Sequence, residues 1–124
     1  MLKEIVENLN SERKELDERL KNLIWELGIM EVAEVLLKRI NDKEVKKVAD
    51  LLVDDMADME NDFPELYSIY KKHKYRKFLE EYYFNYADEV VLKVYFAELV
   101  FNALTNDEIK AHIEYMEDNL VDEY

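Results

Sequence analysis

One glycine and one proline in 124 residues leave this chain almost no material for tight hairpin turns. Such turns need residues that accept positive φ, or a proline that presets the corner, so an all-β fold is excluded. About half the residues (49%) are apolar and 38% are charged, a balance that supports a packed core and excludes a disordered chain or a membrane protein. The length corresponds to one domain. The expectation is an all-α single domain over residues 1–124, a bundle of five or six helices.

Apolar periodicity places the helices. Leu2, Ile5, Leu9, Leu16, Leu20, Leu23 and Leu27 recur at spacings of three, four or seven, and Gly28 ends the stripe. The stripe is interrupted at Glu12 and Arg13, and Asn10 and Ser11 are good N-caps, so residues 2–27 read as one amphipathic helix or a helix pair. Its heptad-like spacing, with fifteen aromatic residues in so short a chain, predicts a homodimer or larger homo-oligomer with this segment as a dimerisation element. A second helix follows over Ile29 to Ile40. A capping box at Asn41 and Glu44 then opens a third that runs to about Asn61. Pro64 suits the first position of a new helix. Residues 87–104 carry two apolar stripes, Val90, Val94, Ala97, Phe101, Leu104 and Leu92, Phe96, Leu99, Ala103, which predict a buried central helix. Glu98 lies within that segment and is expected to be a buried, paired carboxylate. A second capping box at Thr105 and Glu108 opens the last helix.

Charge says most about partners. Seventeen Lys and Arg stand against thirty Asp and Glu, a net charge of −13, which repels a nucleic-acid backbone. Asp50, Asp54, Asp58 and Asp62 fall four residues apart on the third helix, where like charges oppose helix formation. Glu114, Glu117, Asp118, Asp122 and Glu123 load the end of the last helix and the acidic segment 117–124, against the macrodipole. Same-sign strips in unfavourable places predict a working surface. The reading favoured is a non-enzymatic acidic interaction module, an accessory or inhibitor protein whose carboxylates stand in for phosphates on a basic, nucleic-acid-binding partner protein. Within 63–78 five cations meet one anion. There Lys71, Lys72, Lys74, Tyr75, Arg76 and Lys77, flanked by rings over 67–83, offer either contact with the acidic surface of this or a second copy, or nucleic-acid contact.

Enzymatic chemistry has little to build on. The chain has no cysteine, no glycine-rich loop, and only His73 and His112 as imidazoles, both read as surface or boundary residues. No cofactor is implied. Glu31 and Glu34 lie one turn apart on a helix, and Asp50 and Asp54 on the next could join them around Mg²⁺. Over residues 31–54 this resembles the all-α nucleotide pyrophosphohydrolases, which carry a Glu-x-x-Glu pair and then a Glu-x-x-Asp pair on the following helix. The resemblance implies Mg²⁺-dependent hydrolysis of a nucleotide pyrophosphate, with Lys47 standing where the family has its third Glu. No apolar run approaches the ~20 residues of a membrane span and no signal-peptide pattern follows Met1, so a cytoplasmic location is expected. The absence of Gln and Cys beside abundant Lys and Glu leans toward a thermophilic source. Size and charge suit an accessory protein of a virus or mobile element.

Overall fold

A computed structural model describes residues 2–87 and 89–121. Every regular element among them is helical, and there is no strand. In chain order these are α1 (Leu2–Leu27), α2 (Ile29–Arg39), α3 (Asp42–Asp55), α4 (Met59–Asp62), α5 (Pro64–Lys71), α6 (Tyr75–Glu81), a π-helical turn (Tyr82–Tyr86), α7 (Val90–Ala103) and α8 (Asn106–Asn119). The described residues thus hold eight α-helices rather than the five or six expected. Two local breaks account for the excess. The third helix stops at Asp55, because Asp54 and Asp55 load its last turn against the macrodipole with no cation there to offset them. Asp58 then takes a left-handed conformation (φ 71°) and accepts a hydrogen bond from Asn61 Nδ2 at 2.7 Å, which starts the single turn of α4. The second break is His73, also left-handed (φ 58°), between α5 and α6.

The N-terminal segment is one uninterrupted helix, not a pair. Arg13 sits in its apolar stripe because it reaches the end of α7. It donates to the backbone carbonyls of Phe101 and, at 2.8 Å, Leu104, and to Asn106 Oδ1 at 3.0 Å, with its guanidinium 4.2 Å over the Phe101 ring. Helix C-termini leave four carbonyls without intrahelical partners, and Arg13 supplies two of them. Gly28 makes the sharp α1–α2 corner at φ 89°, where a side chain is strained. Both capping boxes form as expected, Asn41 with Glu44 and Thr105 with Glu108, and Pro64 opens α5.

The buried central helix is α7. It packs on α2 and α3, while α1 pairs with α8, α3 with α6, and α5 with α6. Phe96, Ala97, Leu99, Val100 and Phe101 are buried. Val91, Glu98 and Asn102 share the one side of α7 that meets solvent, so Glu98 is exposed rather than buried. Val90, also expected inside, is 61% exposed in the first turn. The buried charge on this helix is Lys93, whose Nζ donates to the Tyr83 carbonyl at 3.0 Å and lies 3.5 Å from the Tyr83 ring centroid. His112 is likewise buried, not superficial. Its Nε2 lies 3.2 Å from both oxygens of buried Glu44, joining α8 to the start of α3.

Candidate functional site

The aspartate strip turns a corner. Because α3 ends at Asp55, the four aspartates expected on one helix face are spread over α3, the turn that follows it and α4. Asp50 is committed internally, accepting from Lys46 Nζ at 2.8 Å and from the Tyr70 hydroxyl at 2.9 Å. Asp55 accepts from the Tyr95 hydroxyl at 3.0 Å. These bonds have consequences for the phenols. Burial, and then the Asp50 hydrogen bond, push Tyr70 up to about 12, and burial with the Asp55 bond raises Tyr95 as well. Asp54, Asp58 and Asp62 are exposed and stand with exposed Glu60 and Glu65, two residues the periodic pattern does not single out. A different signal marks all of them: residues 51–70 hold six carboxylates and no Lys, Arg or His. No ion pair forms within that segment among the described residues. Buried Met59 and Leu66, and the Phe63 ring edge-on to Tyr86 at 5.5 Å, anchor the corner to the body.

The basic stretch forms a knuckle between α5 and α6. Arg76 is spent on the fold, donating to the Leu37 carbonyl at 3.3 Å and the Ile40 carbonyl at 2.5 Å, so that it closes the C-terminus of α2. Lys71, Lys72, Lys74 and Lys77 are exposed, with no ion pair among the described residues. Lys71 Nζ lies 5.3 Å from the Tyr67 ring centroid. The rings beside the lysines pack on one another. Tyr70 meets Tyr75 at 5.7 Å and Phe78 at 5.4 Å, and the Tyr75 hydroxyl is hydrogen-bonded to His73 Nδ1 at 2.8 Å. Stacking on bases needs open ring faces, and these rings are largely occupied.

The C-terminal strip is partly an internal clamp. Glu117 receives both Arg19 Nε (3.1 Å) and Nη2 (2.5 Å), a bidentate pair tying α8 to α1. Glu114 lies 3.9 Å from Lys110, and Asp118 is exposed. Asp122 and Glu123 fall outside the described residues.

The structure does not gather the carboxylates of the metal alternative. Among the described residues no group of three or more His, Asp and Glu is placed to hold a metal ion. The reason is packing: α2 lies chiefly on α7 and α1, whereas α3 lies on α6 and α7. Among the described residues exposed Glu31 carries no ion pair; Glu34 faces Lys38 at 3.6 Å, Asp50 is held by Lys46 and Tyr70, and Asp54 belongs to the acidic corner. Lys47 completes a 2.7 Å ion pair with Glu108 that joins α3 to α8. Burial raises the Glu108 carboxyl, but hydrogen bonds from Lys47 and Thr105 outweigh it and hold the group below its usual range. The remaining buried ionisable groups, Glu44, His112 and Lys93, are engaged within the core. No family model, curated protein or solved structure matches the chain. Among the described residues no helix is long and apolar enough to cross a membrane.

Proposed function

We propose that this protein is a non-enzymatic interaction module whose acidic corner, Asp54, Asp58, Glu60, Asp62 and Glu65, engages a basic protein partner. The observation that carries the reading is the exposure of five carboxylates on one short stretch with no internal cation to neutralise them. A field of that kind speeds encounter with a cationic surface and sets its orientation. The basic groove of a nucleic-acid-binding protein is the natural complement, since carboxylates can replace phosphates against Arg and Lys. In the cell the module would act as an accessory or inhibitory protein toward such a partner.

Fluorescence anisotropy with a labelled Arg- and Lys-rich peptide tests the reading. Binding should weaken steeply with salt, because exposed charges are screened beyond about 8 Å at physiological ionic strength. Replacing Asp54, Asp58 and Asp62 together by Asn should reduce affinity far more than the control triple Glu15→Gln, Glu18→Gln, Glu26→Gln. Equal losses from the two triples would reduce the effect to net charge and overturn the assignment of the corner.

A further inference from the structure

Helix α1 carries leucine at every seventh position, Leu2, Leu9, Leu16 and Leu23, with Val6, Leu20 and Leu27 completing the seam. At about 100° per residue these side chains and Ile5 lie on one face. Half of that face is core: Leu16, Leu20 and Leu23 are 1%, 4% and 3% exposed. The other half is bare, with Leu2, Ile5, Val6 and Leu9 at 76%, 56%, 47% and 51%. The register of α8 explains the division. Asn106, its first residue, donates to the Leu9 carbonyl at 3.2 Å, and Glu117, near its end, meets Arg19. So α8 begins opposite Leu9 and runs parallel to α1, away from residues 2–8. Among the described residues no side-chain hydrogen bond or ion pair ties residues 2–8 to the body, and an arm of about 10 Å stands clear.

We propose that this face is covered by the same face of a second copy, the two arms lying antiparallel about a two-fold axis between Ile5 and Val6. Three observations select a copy over another occupant. Reversing the pattern maps Leu2 onto Leu9 and Ile5 onto Val6, so the stripe is self-complementary, as an isologous contact requires. A seven-residue period matches a helix partner and not a flat surface. Charge points the same way: a −13 chain repels its own copies at its acidic surfaces, but residues 2–10 hold only Lys3, Glu4 and Glu7. Both glutamates project from the side opposite the stripe, while Lys3 and Asn8 flank it, so no carboxylate faces a carboxylate across the axis. A basic partner finds no anionic surface there. Two arms this short bury less than the roughly 1,200 Å² of a standard stable interface, so the dimer is reversible and concentration-dependent.

Sedimentation velocity of the full chain across micromolar to near-millimolar concentration, joined to cysteine cross-linking in this cysteine-free protein, tests the pairing. A dimer should appear with rising concentration and vanish in Ile5→Asp, with the far-ultraviolet circular dichroism of the variant unchanged. Under mild oxidation a mixture of Leu2→Cys and Leu9→Cys chains should cross-link, and each variant alone should do so poorly. A chain that stays monomeric throughout, a dimer that survives Ile5→Asp, or efficient cross-linking of Leu2→Cys with itself each overturns the proposal. None of these substitutions touches a carboxylate of the acidic corner, so the two readings fail independently.

Discussion

Replacing Arg13 by Met keeps an apolar stem in the α1 stripe and removes the fork that closes α7. The cost can be worked from the partners left behind. The carbonyls of Phe101 and Leu104 lose a charged donor, as does Asn106 Oδ1, and Phe101 and Leu104 are themselves buried residues. A hydrogen bond to a charged group contributes about 1.5–3 kcal/mol, and an acceptor left without a partner costs about 1–3 kcal/mol. Water reaching the partly exposed edge recovers some of this, and the retained stem keeps part of the packing. The expected net loss is about 2–4 kcal/mol, or a fall in Tm of roughly 10 °C for a domain of this size. Urea and thermal unfolding, followed by circular dichroism at a concentration low enough to hold the chain monomeric, measure it. Arg13→Lys separates charge from geometry, because an ammonium cannot span two carbonyls as a planar guanidinium does; it should recover less than half the loss. A Met variant within about 0.5 kcal/mol of the parent, or a Lys variant equal to the parent, would refute the cap.

Three further outcomes follow from named contacts. Glu44→Ala removes the N3 partner of the α3 capping box and strands His112 in the core, so it should cost about 2–4 kcal/mol by urea titration, and adding His112→Leu should restore part of that loss. Tyr70 and Tyr95 are raised in the fold, so the stability they give is complete below pH 10 and is lost as pH rises through their folded values, about 12 for Tyr70. The Tyr70→Phe, Tyr95→Phe double variant should show a flatter alkaline limb in a pH series of melting temperatures. Glu108 is lowered, so its contribution is complete above the ordinary value of 4.5 and is lost as pH falls through the folded value. Lys47→Met should flatten that acidic limb.

What could be read in the sequence was mostly what neighbours in sequence decide. The two capping boxes, the break at Gly28 and the start at Pro64 depend on residues within one turn of each other, and all form. The misreadings came from distance. Arg13 looked like an interruption because its partners lie 88 to 93 residues away. Glu98 was placed inside, and buried Lys93 drew no notice, because α7 is apolar nearly all round and periodicity could not say which of its charges meets solvent. His112 did carry a legible signal: Ile109, His112, Ile113 and Met116 follow core-facing spacing, and all four are buried. The acidic corner was legible as composition but not as shape, since the turn from α3 into α4 depends on Asp58 entering the left-handed region.

The placement of cations explains why an acidic surface is left unneutralised. Each of the four arginines joins two elements: Arg13 caps α7 from α1, Arg19 clamps Glu117 of α8 to α1, and Arg76 caps α2 from α6. The fourth, Arg39 on α2, lies 3.7 Å from the Tyr115 ring centroid on α8. These contacts use planar, multi-donor geometry that lysine lacks. Lys47 and Lys93 are also committed between elements. Four of the remaining lysines, Lys71, Lys72, Lys74 and Lys77, cluster at the knuckle between α5 and α6, so the axis of α5 runs from the acidic corner to the basic end. That arrangement suits the α5 dipole, with Glu65 in its first turn and Lys71 in its last. It also keeps positive charge off the stretch 51–70. The fold therefore uses its scarce cations as cross-links and helix caps, and the unneutralised field at Asp54 to Glu65 is a direct consequence of how the bundle is held together.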